Sequence, residues 1–128
     1  MSESVPSCGP GDHSHLANPG VEVSPKAVER AAALFRAMGD GPRLRTLILL
    51  ARGPRCVTEI VESMGEKFPT VSQRLRVLRG EGLVRRHRKG NHLYYELSDR
   101  HVVDLVSNAL AHAAELEVSP PAVSDEGD

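Results

Sequence analysis

The sequence predicts a mainly α (α+β) domain, a winged helix-turn-helix with the element order α-α-α-α-β-β-α. Three observations predict it. Apolar residues recur at helical spacing in five separate segments. Two short helical segments flank a brief turn containing Gly65, and the second is basic and polar on its outside. Directly after it, two strand-like runs surround Lys89-Gly90-Asn91, which is hairpin-turn chemistry. A basic hairpin in that place is a wing.

Residues 1–23 are rich in Gly, Pro and Ser and read as a flexible N-terminal arm. Ser24-Pro25 supplies a cap and then proline at the first helical position. A helix is expected from there to about Met38, with Val28, Ala31, Ala32 and Phe35 at helical spacing. Gly39-Asp40-Gly41 breaks it. Pro42 opens a second helix, Arg43 to about Ala51, carrying Leu44, Leu47, Ile48 and Leu50. After the Arg52-Gly53-Pro54 turn a third begins near Cys56, with Val57, Ile60, Val61 and Met64, and Gly65 ends it.

The fourth helix is expected from Pro69 to about Arg79, with Val71, Leu75 and Leu78 inward and Gly80-Glu81-Gly82 as its stop. Its opening, Lys67-Phe68-Pro69, lacks the Ser or Asp cap that helices favour. Leu83 to His87 and Leu93 to Leu97 are the strands, and Tyr94 and Tyr95 suit a pleated surface. A last helix follows Ser98-Asp99, with Val102, Val103, Val106, Leu110 and Ala113 as its apolar stripe. The structured domain is therefore expected over 24–117, followed by a disordered acidic tail, 118–128.

The chain of 128 residues fits one small domain with tails, and its 3% aromatic content demands an aliphatic core. No apolar run is long enough to span a membrane and no secretory core is evident, so a cytoplasmic protein without a membrane partner is expected. Two cysteines, Cys8 and Cys56, are too few for a disulfide scaffold.

A net charge of −1 hides an asymmetry. From Lys67 to Lys89 there are eight basic residues (Lys67, Arg74, Arg76, Arg79, Arg85, Arg86, Arg88, Lys89) against one acid, Glu81. Acids gather instead toward the two ends. A basic stretch on a helix and hairpin of this kind is an electrostatic footprint for double-stranded DNA. Thr70, Ser72, Gln73 and Arg74, on the early turns of the fourth helix, are the expected base readers. Arg76 and Arg79 are expected on phosphates. Arg85, Arg86, Arg88 and Lys89 of the wing are expected to add salt-dependent backbone affinity.

The last helix carries a second pattern. His101 and His112 are eleven residues apart, which at 100° per residue brings them within about 20° of each other around the helix. Glu115 lies one turn beyond His112, and Asp99 stands at the helix entrance. Yet about 16 Å of helix axis separates the two imidazoles, and a tetrahedral ion needs its donors at about 2.0–2.2 Å. One helix cannot hold the ion. Two copies antiparallel about a two-fold axis can, with Asp99 and His101 of one meeting His112 and Glu115 of the other. The competing reading is two solvent-facing histidines on a polar helix face.

Several segments together resemble the ArsR/SmtB family of metal-sensing repressors, over roughly residues 25 to 117. They are Leu34-Phe-Arg-Ala-Met-Gly-Asp-Gly-Pro-Arg-Leu-Arg45, Cys56-Val-Thr-Glu-Ile60, Thr70-Val-Ser-Gln-Arg-Leu-Arg-Val-Leu78, Gly82-Leu-Val84 and Gly90-Asn-His-Leu-Tyr-Tyr95. The Asp99-x-His101 and His112-x-x-Glu115 pattern is similar to that of the zinc-sensing, SmtB-type branch. The resemblance implies a homodimer paired through its first and last helices, with Asp99, His101, His112 and Glu115 as an inter-subunit metal site. It also implies a second site in which Cys56 and Glu59, three residues apart and facing one way, join Cys8, His13 and His15 of the arm. Mixed S, N and O donors suit zinc, and a histidine–carboxylate set also accepts cobalt or nickel. In some relatives a polar residue at the position of Gly82 relays between metal and the reading helix. Glycine has no side chain to do so.

The expected function is a metal-responsive transcriptional repressor, with zinc as its ion. The apo homodimer would bind operator DNA and leave it on metal binding, controlling genes for metal export or sequestration. A thiol-based redox repressor using Cys8 and Cys56 is the alternative, and it gives the Asp/His/His/Glu set no role. An enzyme acting on an organic small molecule is not expected. Four protein ligands close the shell that a catalytic zinc keeps open, and no nucleophile triad or Gly-rich phosphate loop is present.

Overall fold

The computed structural model describes residues 23–118. The expected arm up to residue 22 and the expected tail from residue 119 lie outside the described residues, as do Cys8, His13 and His15. The elements are α1 (Pro25–Met38), α2 (Gly41–Ala51), β1 (Arg55–Cys56), α3 (Val57–Met64), α4 (Phe68–Gly80), β2 (Val84–Lys89), β3 (His92–Leu97) and α5 (Arg100–Val118). The chain divides after Ala32 into two units. In the first, the Ser24 hydroxyl caps the start of α1 by accepting from the Ala27 N–H at 3.1 Å.

From Ala33 onward one aliphatic core holds the domain together. Leu47 of α2, Ile60 of α3, Val71, Leu75 and Leu78 of α4, Leu83, and Val106 of α5 are all fully buried. Each such side chain contributes about 1.5–3 kcal/mol relative to exposure, opposed by the chain's conformational entropy. The corner before α2 is tied twice. Asp40 accepts from the Arg43 N–H at 3.1 Å, and the Arg43 Nε–H donates back to the Ala37 carbonyl at 2.7 Å.

The sheet is antiparallel in the order β1-β3-β2. β1 is not among the expected elements. It is two residues long and exists because Arg55 and Cys56 pair with Tyr95 and Tyr94 of β3. In the hairpin, Val84 faces Leu97 and Lys89 faces His92, so both strands reach further toward the turn than expected. Val84, Tyr95 and Leu97 are buried at the base, and β2 is exposed from Arg85 onward.

Two expectations for the helices are corrected. Val102 and Val106 of α5 are buried, but Leu110 and Ala113 are exposed, and every residue from Ser107 to Glu117 faces outward. The apolar stripe continues past the end of the core that covers it. On α1, Val28 and Phe35 are likewise exposed, and Ala37 and Met38 are the buried residues.

Candidate functional site

The helix-turn-helix is α3, its turn and α4. Gly65 ends α3 in the left-handed region at φ 65°, and its N–H donates to the Val61 carbonyl at 2.9 Å. A side chain there would be strained, which is why this tight turn has glycine. At the other end of α4, Gly82 is also left-handed at φ 77°, and the Leu83 N–H closes the helix onto the Leu78 carbonyl at 3.0 Å. The glycine at position 82 is thus explained by the helix stop that feeds β2. As expected, no side chain caps the start of α4.

The structure sorts the expected DNA-facing residues into two groups. Thr70, Gln73 and Arg76 are exposed on one side of α4, while Ser72 and Arg79 are half-buried. Arg76, Arg79, Arg85 and Arg86 line a single open cleft of about 560 Å³ between the end of α4 and the start of the wing. Arg85, Arg86, Arg88 and Lys89 are exposed along β2. Arg85 is held by Glu96 across the hairpin at 3.0 Å, and His87 lies 3.3 Å from the same carboxylate and stacks on Tyr94.

Arg74 is a correction. Its side chain is 7% exposed, and both arms of the guanidinium are committed. Nη1 donates to Glu66 Oε1 at 2.6 Å and to Thr46 Oγ1 at 3.1 Å, while Nη2 donates to Glu66 Oε2 at 2.7 Å. A residue so engaged cannot reach a base edge. The hydrogen bond from Arg74 holds the Glu66 carboxyl below its usual range, and the same bond pushes the guanidinium up, so the pair is charged at neutral pH. Neither Glu66 nor Thr46 stands out in the sequence. The burial of Arg74 has a signal, because position 74 falls three residues after Val71 and four before Leu78, beside the apolar stripe.

On α5 the four expected ligands form two pairs. Asp99 caps the helix, accepting from the Val102 N–H at 3.2 Å, and its Oδ1 is 3.6 Å from His101 Nδ1. His112 Nδ1 is 3.6 Å from Glu115 Oε1. All four side chains are more than half exposed. Among the described residues no three His, Cys, Asp or Glu side chains come together. Each pair offers one nitrogen and one carboxylate, half of a tetrahedral N/O set, so the donor chemistry fits zinc provided two pairs meet. Cys56 is half-buried at the start of α3, and its N–H donates to Glu59 Oε1 at 3.0 Å, which places the Glu59 carboxylate beside it.

No helix among the described residues is long and apolar enough to cross a membrane. The sequence model of the arsR family of bacterial regulatory proteins matches residues 40–86, from the α2 cap to the middle of β2. The HTH-type transcriptional repressor SmtB of Mycobacterium tuberculosis is 33% identical over 112 residues, covering 82% of this chain and 83% of its own. The HTH-type transcriptional regulator NmtR of the same organism is 35% identical over 100 residues, covering 78% and 83%. The solution structure of the homodimeric winged helix-turn-helix DNA-binding domain of Mb0332 from Mycobacterium bovis superposes with a TM-score of 0.68. It is 28% identical, over 83% of this chain and 99% of that one. A helix-turn-helix followed by a basic wing, on a chain matched over most of its length by such regulators, is not an enzyme: the protein belongs to the ArsR/SmtB family of DNA-binding transcriptional repressors.

Proposed function

We propose that this repressor is metal-responsive, that zinc is its ion, and that it binds operator DNA as an apo homodimer and releases it on metal binding. The observation that carries the reading is α5. It displays Asp99–His101 at one end and His112–Glu115 at the other, about 16 Å apart along the axis and open to solvent. Leu116, one turn beyond His112 on the same side of the helix, is exposed as well. Two α5 helices packed antiparallel along this face would cover Leu116 and unite each Asp99–His101 pair with the complementary pair of the second copy.

Within the dimer one α4 per protomer enters each of two successive major grooves. Thr70, Ser72, Gln73 and Arg76 face base edges and nearby phosphates. Arg79, Arg85, Arg86, Arg88 and Lys89 hold the backbone. Zinc, when bound, supplies a cross-link between the two α5 helices. The spacing of the two α4 helices is then set by the dimer interface, and any change there that disfavours the operator makes metal and DNA reciprocal antagonists. Cobalt and nickel share the N/O preference of this site. Cys56 and Glu59 form the fixed part of a second site, to be completed by Cys8, His13 and His15. The thiol-pair alternative on Cys8 and Cys56 is not favoured, since it leaves Asp99, His101, His112 and Glu115 without a role. The regulated genes would be those of metal export or sequestration, and the protein would act in the cytoplasm, where its operator lies.

Complementation between inactive variants tests the reading. His101→Ala and His112→Ala homodimers should each lose high-affinity metal binding. Mixed under subunit exchange, the heterodimer keeps one interface with all four ligands. Equal statistical pairing makes about half of all dimers in the mixture heterodimers, and each of these should regain one site. No recovered binding in the mixture would place ligation within one chain or elsewhere.

A further inference from the structure

Thr46 and Arg74 are the buried polar side chains among the described residues, and they are bonded to each other. With Glu66 they join three pieces of the DNA-binding half: α2 through Thr46, the helix-turn-helix turn through Glu66, and α4 through Arg74. The hydrogen-bonding capacity is used in full where it matters. The Thr46 hydroxyl donates to the Pro42 carbonyl at 3.0 Å and accepts from Arg74, and both Nη1 hydrogens of Arg74 have acceptors. Arg45 adds to the field on Glu66, and Asp40 adds to the field on Arg74.

We propose that Arg74, Glu66 and Thr46 form a positioning lock that fixes the rotation of the reading helix. Arg74 is a positioning residue, not a reader. A planar guanidinium gripping a carboxylate with two parallel bonds tolerates little rotation. Arg74 is flanked on α4 by Thr70, Gln73 and Arg76, and a helix turned about its axis moves every side chain by the same angle. Holding one buried residue at three points therefore sets the aim of its exposed neighbours. Apolar packing alone is non-directional and permits small rotations of a helix. The lock specifies which of them is occupied. This inference rests on the reading of α4 as the element that faces base edges.

The test uses the full-length apo protein and two DNA duplexes. One is selected from a randomised pool by the wild-type protein, and the other is a scrambled duplex of the same composition. Glu66→Gln, Arg74→Gln and Arg74→Lys should each weaken binding to the selected duplex ten-fold or more. Affinity for the scrambled duplex and its salt dependence should stay near wild type, because the exposed basic residues are untouched. The double variant Glu66→Gln/Arg74→Gln should lose no more specificity than either single one, as members of one unit do. Thr46→Val, the mildest change, should lose about three-fold in the same direction. Circular dichroism melts confirm that each variant is folded at the assay temperature.

Lysine at 74 keeps the charge and lacks the fork, so Arg74→Lys separates geometry from charge. If Arg74→Lys or Thr46→Val binds the selected duplex as wild type does, or if all variants lose affinity for both duplexes alike, there is no lock. If the wild-type protein selects no sequence from the pool, the operator-reading role of α4 fails first, and the lock fails with it.

Discussion

On α4 the guanidinium of Arg74 is buried between Glu66 and Thr46, whereas on β2 the side chains of Arg85, Arg86 and Arg88 stand in water. The residue type is the same. The difference lies in what each backbone offers. A helix at 3.6 residues per turn presents some positions to the core whatever their chemistry, and a long charged side chain there must find partners. A strand leaving the core as a hairpin has no such obligation, and its cations remain solvated. Buried, an arginine acts on the fold. Exposed, it acts on a polyanion at a distance set by ionic strength.

The comparison is broken most directly by Arg74→Ala. Removing the buried partner should cost about 2 kcal/mol of unfolding free energy, the size of hydrogen bonds to a charged group in a protected place. Urea denaturation reads it as a lower midpoint at unchanged slope. A loss below about 0.5 kcal/mol would put Arg74 among ordinary surface residues. In the wing the pattern should be the reverse. Arg86→Ala with Arg88→Ala should leave unfolding free energy within about 0.5 kcal/mol of wild type. The same pair should reduce the slope of log affinity against log salt by about 0.9 for each phosphate that is no longer neutralised.

The smallest effect sharpens the comparison through pH. Arg74 lowers the Glu66 carboxyl pKa in the folded protein, so folding favours the ionised form. That contribution is present in full above the ordinary carboxylate value and is lost as pH falls through the lower folded value. Glu66→Gln should therefore flatten the acid side of the stability profile in that window and leave the alkaline side unchanged. An identical acid limb in the variant would assign the loss to other carboxylates.

The wing and the helix-turn-helix are legible in the sequence because their signals are local. Gly65 and Gly82 sit where left-handed backbone is needed, and Val71, Leu75 and Leu78 keep helical spacing. β1 is not legible. Two residues carry no periodicity, and only pairing to Tyr94 and Tyr95 makes Arg55 and Cys56 a strand. A count of charges also cannot tell inside from outside, which is why Arg74 reads as one of the base readers until its burial is seen. Leu110 and Ala113 show the converse limit. Spacing marks them as apolar on the stripe of Val102 and Val106, but whether a stripe is covered depends on the surface opposite it. The same holds for the ligands proposed on α5. Each pair is visible within its own turn, whereas the meeting of Asp99–His101 with His112–Glu115 requires a second chain.

The position of β2 at the margin of the sheet has a consequence for how this protein behaves at high concentration. β3 is flanked on both sides, and β1 is too short to recruit another chain. β2 is six residues long, exposed beyond Val84, and turns one row of backbone donors and acceptors outward. Such an edge is a template for joining sheets between molecules. Here any two copies approaching edge to edge would bring Arg85, Arg86, Arg88 and Lys89 of each into opposition. Like charges brought face to face across strands are unfavourable, so these cations disfavour such pairing. A polyanion that neutralised them would remove that protection, and it would do so only while lying on the wing.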